Sequence, residues 1–260
     1  MTTTTVDRPR SVPGHGGFSL LFLGLELRRM LRNRRTIVFT VLVPPIFFAV
    51  FGLSGDYRTQ TMGSANLTGY IMVSMALYGA MLATTSGGAM VSIERGVGWS
   101  RQLRLTPLDP VAYVATKVLV AMALGLVSVT TVFAVGAATG AHLTAAAWVS
   151  CFLLAWVTSV VFAAFGLFMG YVLPSENVMQ ILGPGLALLA FAGGLFVPAS
   201  GWFADVAKVV PTWGVATIAR APIGEVTAAN LGEAIVNVVV WTTVFVLGAR
   251  AMFRRDTARG

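Results

Sequence analysis

One stretch of this chain gathers a carboxylate, three guanidinium groups and an indole within a few residues: Ile93-Glu94-Arg95-Gly96-Val97-Gly98-Trp99-Ser100-Arg101-Gln102-Leu103-Arg104-Leu105-Thr106-Pro107-Leu108. The spacing predicts a short helix. Glu94 suits the positive end of a helix dipole, Arg101 and Arg104 suit its last turn, and Pro107 stops it. Trp99 and Leu103 would then share a face with basic groups beside them. Such a helix is either a solvated interfacial turn or a docking surface for a partner, and its residue types alone leave both open. Covalent chemistry is poorly supplied. The two histidines are His15 and His142, there is no His-Glu-x-x-His, and neither histidine falls in an apolar run. That disfavours an intramembrane hydrolase, which needs a nucleophile with a base, or a metal cluster. The single Cys151 allows no disulfide framework and no thiolate metal site, and it reads as a small buried apolar residue. Of the two lysines, Lys117 and Lys208, neither follows glycine or precedes serine or threonine, so no Walker A loop can form. No metal, cofactor or catalytic residue is expected on this chain.

The elements that position this stretch are six apolar runs, at roughly Thr36–Leu53, Leu67–Val91, Val111–Ala138, Ala147–Leu173, Val178–Pro198 and Leu231–Phe253. Each reaches about the 20 residues that cross a ~30 Å hydrocarbon core as a helix. Strand-like alternation is absent. Hydrophobic residues make up 56% of the chain and charged ones only 11%, which leaves little sequence for a soluble domain. The expected fold is an all-α integral membrane protein with six transmembrane helices. Residues 1–17 read as a disordered cytoplasmic tail, 18–255 as one transmembrane domain and 256–260 as a second cytoplasmic tail.

Formal charge is +8, and its placement matters more than its size. With the N-terminus in the cytoplasm, fifteen basic residues fall on that side and only Arg58, Lys208 and Arg220 on the other. The positive-inside rule therefore places both termini in the cytoplasm of a multi-pass plasma-membrane protein. Anionic headgroups account for the basic excess without nucleic acid. The first apolar run is 18 residues long and lacks an A-x-A site, so it reads as an uncleaved span.

Ahead of that run, Leu20, Leu23, Leu27 and Leu31 recur at three- and four-residue steps, with Glu26 and Arg29 on a polar side. An amphipathic interfacial helix is expected there, apolar face down and charges outward. Pro44 and Pro45 interrupt span one, as a packing kink or a gating hinge. The small residues Ser86, Gly87, Gly88 and Ala89 predict close approach of another helix. In span five, Gly183-Pro184-Gly185 and Gly193-Gly194 mark either a substrate path or tight packing. The segment Pro198–Asn230, with Trp202 and Trp213, predicts two short re-entrant or interfacial outer helices near Gly201–Val210 and Thr212–Arg220. Lys117, Glu176 and Glu233 sit at span ends, where they read as topology anchors. The runs therefore lack the mid-membrane charge that an ion-coupled carrier or channel uses.

The block from Glu94 to Lys117, with Glu-x-Gly followed by Leu-x-Leu-Thr-Pro-Leu, resembles the permease subunits of ABC-2 type exporters, including daunorubicin-resistance-like drug efflux permeases. Gly193-Gly194-Leu195-Phe196-Val197-Pro198, then Pro211, Trp213 and Pro222, are similar to that family's pattern before its last span. The resemblance covers roughly Phe18–Arg255; Val97 and Gly98 depart from it, where the family often has threonine and a charged residue. It implies export of a hydrophobic or amphipathic small molecule, with polysaccharide or lipid-linked glycan as the alternative cargo. Two copies of a separate ATPase subunit, carrying ATP and Mg, would supply the energy. A second permease subunit, identical or not, would complete the membrane part. The ATPase-coupling residues it implies are Glu94, Arg95, Gly96, Trp99, Arg101, Leu103, Arg104, Leu105, Thr106 and Pro107. Glu176, in the second turn Pro174-Ser175-Glu176-Asn177, would join them. Phe47, Phe48, Met72, Met75 and Met81 are the candidate linings of a path between subunits, against bland core packing.

Overall fold

The computed structural model describes residues 18–98, 110–197, 200–224 and 226–258. The tail 1–17, the whole stretch 99–109 and the last two residues lie outside them, and with them the expected disordered tail and most of the expected coupling helix. Turns and loops aside, the described residues form helices and one short hairpin, β1 (Thr61–Met62) with β2 (Ala65–Asn66).

Helix α1 (Leu20–Leu31) is followed, after a turn at Arg32–Asn33, by α2 (Arg34–Ile37), a π-turn (Val38–Leu42) and α3 (Val43–Gly52), which succeed one another without a gap. The π-turn stands directly before Pro44 and Pro45. These residues have no N–H to donate, so regular i→i−4 bonding must fail there, and a widened turn is how a helix absorbs the fault. Then come α4 (Leu67–Gly96), α5 (Pro110–Thr139), α6 (Ala145–Thr158) with α7 (Val160–Val172), α8 (Val178–Ala192), α9 (Trp202–Ala207), α10 (Pro211–Arg220) and α11 (Ala228–Ala258). Among the described residues, four helices are long and apolar enough to cross a membrane: α4, α5, the α6–α7 pair and α11. Runs one and five form shorter apolar helices, Thr40–Gly52 and Val178–Ala192.

Run five stops early for a visible reason. Gly194 turns the chain at φ 71°, a conformation that suits glycine. The carbonyls of Gly194 and Leu195 then accept hydrogen bonds from Arg220 at 3.1 and 2.8 Å. Run four breaks at Ser159, whose carbonyl accepts from Thr84 Oγ1 at 3.1 Å.

Helix α4 is the central post. Its residues Met72, Met75, Ala76, Leu77, Ala80 and Met81 are wholly or almost wholly buried in the main core. Its small residues face neighbours as the sequence predicts. A Cβ on Gly87 would lie 2.7 Å from that of Ala121 on α5, and one on Gly88 would lie 2.7 Å from the Leu167 nitrogen on α7. Helix–helix distance here is set by backbone, which is what small residues permit in a membrane setting. Helix α11 is the opposite case, with Ile235, Val236, Val239, Val240, Val244 and Leu247 all exposed.

The two outer helices form where expected, as α9 and α10. Trp202 is exposed, suiting an interfacial anchor, while Arg220 at the end of α10 is buried. The guanidinium donates to Ser74 Oγ from Nη2 at 2.6 Å and lies 4.4 Å from the Tyr70 ring centroid. Sequence reasoning counted Arg220 only as an outer basic residue. Its burial is repaid by carbonyls, a hydroxyl and a ring face in place of a carboxylate.

Candidate functional site

Helix α1 carries the first correction. Glu26 and Met30 are its buried residues, whereas Leu20, Leu21, Leu25 and Leu31 are exposed. Leu23 and Leu27 pack with Met30 against Ala83, Val120 and Leu124. The packed face is therefore Leu23, Glu26, Leu27 and Met30, so Glu26 points into the protein and not out to the headgroups. Its partner decides this. Lys117, on α5, is also buried, and its Nζ lies 3.1 Å from Glu26 Oε1. A buried ammonium requires a nearby carboxylate, so Glu26 turns inward.

Glu94 completes the group. It lies in the last turn of α4, not at the start of a new helix as its sequence position suggests, and it is buried. The hydrophobic run simply continues helically past Val91 to Gly96. Glu94 Oε1 accepts from Lys117 and Arg29, and Oε2 accepts from the Tyr113 hydroxyl. Arg29 Nη2 also lies 3.0 Å from Glu26 Oε2, and Lys117 Nζ sits 5.2 Å from the Tyr113 ring centroid. Two carboxylates, an ammonium and a guanidinium thus balance to zero net charge, drawn from α1, α4 and α5. Burial by itself lowers the Arg29 pKa, but the Glu94 hydrogen bond and the charges of Glu26 and Glu94 outweigh it and raise the pKa.

The other side of α4 is fastened as firmly. Arg95 Nη1 donates to the carbonyls of Gly170 and Tyr171 at 3.3 and 3.0 Å, taking up orphan acceptors at the end of α7. Ser92 Oγ donates to the Leu173 carbonyl at 2.8 Å. A Cβ on Gly96 would meet Ser175 Oγ at 2.6 Å, so the turn 174–177 lies directly against the end of α4. Glu176 in that turn is exposed.

The structure therefore brings together Glu94, Arg95, Gly96 and the turn that presents Glu176. Trp99, Arg101, Leu103, Arg104, Leu105, Thr106 and Pro107 lie outside the described residues. Of the path candidates, Phe48, Met72, Met75 and Met81 are packed in the core, and Phe47 is half-buried, stacked on Tyr78 at 6.0 Å between centroids. A cavity of about 280 Å³ lies elsewhere, between α1, the π-turn, α4 and α8; Met30, Thr40, Ser86, Met90, Met179 and Leu186 are among its lining. Glu26, Arg29, Tyr113 and Lys117 escaped the sequence reading as site residues. Lys117 alone carried a signal: an ionisable group within an apolar run demands a partner.

Comparison with known proteins decides what this arrangement belongs to. Residues 20–220 match the model of the family described as "ABC-2 type transporter". The chain belongs to the ABC-2 type transporter family. It is also similar to a curated protein of Bacillus subtilis (strain 168) named "Putative transport permease YvfS", with 26% identity over 176 residues, which is 66% of this chain and 71% of that one. As a family member it is a multi-pass membrane permease of an ABC transporter, of the kind that generally pairs with an ATPase subunit.

Proposed function

We propose that this permease exports a hydrophobic or amphipathic small molecule, such as a drug, an antibiotic or a lipid-like compound. A separate ATPase dimer would drive it, and a second permease subunit would complete it. Both termini and the segment 97–109 then face the cytoplasm, and α3 and α8 count as spans one and five of six. The segment 97–109 and the turn 174–177 receive the ATPase. The observation that carries this reading is the neutral buried cluster of Glu26, Arg29, Glu94 and Lys117. It joins the two helices from which the segment 97–109 hangs, α4 and α5, to the N-terminal helix. Buried ion pairs add little net stability but tolerate few geometries. A push on the segment is thus delivered to three helices together, and Arg95 and Ser92 pass it to α7.

Cargo would be taken up through the cavity bounded by Met30, Ser86, Met90 and Met179, whose methionines suit varied apolar shapes. The aromatic row Phe51, Phe47, Tyr78 and Phe196, exposed at Phe51 and buried at Tyr78, with successive centroids 4.9 to 6.1 Å apart, would continue it toward the opposite side. Phe48, Met72, Met75 and Met81 would act behind that wall, as packing.

The test is ATP-driven accumulation of an amphipathic fluorescent dye in vesicles holding the permease and its ATPase subunit. Arg101→Glu should abolish accumulation and weaken co-purification of the ATPase. Glu94→Gln should leave the ATPase bound yet lower accumulation at least tenfold, because the push no longer reaches α1 and α5 together. Wild-type accumulation in Glu94→Gln would remove the cluster from the mechanism, and accumulation without any ATPase would overturn the function.

A further inference from the structure

The glycines of α8 and its end have different surroundings. Gly193, just past the last residue, is pressed on α10, where a Cβ would lie 2.7 Å from the Trp213 nitrogen. Gly183 and Gly185 flank Pro184 inside the helix, and a Cβ on either would meet no atom of the described residues within 4 Å. Close packing accounts for Gly193 but not for this pair. Pro184 has no N–H, so the Gln180 carbonyl loses its helical donor, and glycine on both sides leaves the backbone soft.

The same three residues divide α8 between two cores. Before them, Val178 and Leu182 pack with Ala89 of α4 and with Met169 and Leu173. After them, Leu186 and Ala190 belong to the main core, together with Val215 and Ala219 of α10. The fastenings differ as well. In the later half the Thr212 hydroxyl of α10 donates to the Leu189 carbonyl, and Arg220 holds the carbonyls of Gly194 and Leu195 just beyond. The earlier half continues instead from the turn 174–177, which lies against the end of α4. Met179 and Leu182 before the joint, and Leu186 after it, line the 280 Å³ cavity together with Met30 and Met90.

We infer that Gly183-Pro184-Gly185 is a hinge, about which Val178–Leu182 swings as a lid on this cavity, moved through the turn 174–177. The arm from Pro184 back to Val178 is roughly 9 Å at ~1.5 Å per residue. A bend of about 20°, where helix kinks become sharp, shifts Val178 by roughly 3 Å. That takes it out of the ~4.0–4.5 Å contact range of its neighbours in the smaller core. The three hinge residues are positioning residues: they absorb the backbone change, and the lid acts on the cavity. The inference rests on the proposed reading that an ATPase pushes on the turn 174–177 and that cargo enters by this cavity.

The test uses vesicles that hold the full-length permease with its ATPase subunit, and the amphipathic fluorescent dye as probe. The triple variant Gly183→Ala, Pro184→Ala, Gly185→Ala restores a continuous helix. It should lower ATP-driven accumulation roughly fivefold or more, while the ATPase stays bound and the unfolding temperature does not fall. Pro184→Gly keeps the joint soft and should retain about half of the accumulation or more. Met179→Cys reports on the lid directly. Its labelling rate with a thiol reagent should change about threefold or more between nucleotide-free and ATP-bound complexes, and should not change in the triple variant. The native Cys151 is buried and leaves that signal clear. Wild-type accumulation or a lowered unfolding temperature in the triple variant overturns the hinge, and so does labelling there that still follows nucleotide. A Pro184→Gly variant as inactive as the triple one also overturns it, because the loss would then follow the proline and not the softness. If the unaltered permease accumulates no dye, the proposed function fails, and the labelling of Met179→Cys decides the hinge even then. Failure of the hinge alone leaves the proposed function standing.

Discussion

Removing the ammonium of Lys117 would leave Arg29 as the one cation that the described residues set against the carboxylates of Glu26 and Glu94. Breaking a buried pair in this way costs about 3–5 kcal/mol, whereas removing both members costs far less. Lys117→Met should therefore destabilise the protein by about 3 kcal/mol, and adding Glu26→Gln should restore much of that, since Arg29 and Glu94 still balance. Thermal unfolding of the two single variants and the pair checks this; additive losses would show that the charges do not act as a unit. Arg220 poses a different problem, because its partners are two carbonyls, a hydroxyl and a ring. Lysine carries the charge but not the planar fork. Arg220→Lys should cost about 2 kcal/mol by the same measurement, the worth of one or two charge-assisted hydrogen bonds. An unchanged unfolding temperature would mean that the fork is dispensable.

Helices α4 and α7 touch backbone to backbone. A Cβ on Gly166 would come within 2.8 Å of Thr85 Cα, and the hydroxyl of Thr85 donates to the Phe162 carbonyl at 3.3 Å nearby. Overpacking such a contact costs about 1–3 kcal/mol or more. Gly88→Val and Gly166→Val should each lower the unfolding temperature, while Gly183→Ala, with nothing within 4 Å of its Cβ, should leave it unchanged. Equal effects at all three positions would contradict the packing. This element pair was legible beforehand, because small residues in an apolar run have few other uses. The rotation of α1 was not. Periodicity joins the packed Leu23 and Leu27 to the exposed Leu20 and Leu31 and leaves Glu26 outside, and Glu26 takes its inward place only because Lys117 stands opposite it.

At the scale of the whole molecule, Arg29 and Lys117 meet Glu94 at the end of α4, Arg95 fastens the same end to α7, and Arg250 and Arg254 lie along α11 beside Tyr171 of α7. The proposed orientation predicts that cysteines introduced by Asp56→Cys or Lys208→Cys react with an impermeant thiol reagent from outside the cell. Arg101→Cys should react only from inside, and the native Cys151 is buried and should not interfere. Reversed labelling would invert the topology. Lys208 is paired with Glu233 at 2.7 Å on an exposed surface; the Glu233 hydrogen bond raises its pKa, so it stays charged on that side.

Long apolar runs, their number, the bias of positive charge and the family-like Glu-x-Gly and Leu-Thr-Pro elements are local properties, written in consecutive residues. From them alone follow a helical membrane protein and its place among ABC-2 permeases. Which charges meet is not local. Glu26 and Lys117 are 91 residues apart, Glu94 and Arg29 are 65, and Arg220 reaches Ser74 across 146. No periodicity encodes such pairs. They are chosen when packing withdraws each group from water and leaves a few buried charges, hydroxyls or carbonyls as the partners within reach. The same holds for the early end of α8 and the inward turn of α1, where a distant side chain, and not the local sequence, has the last word.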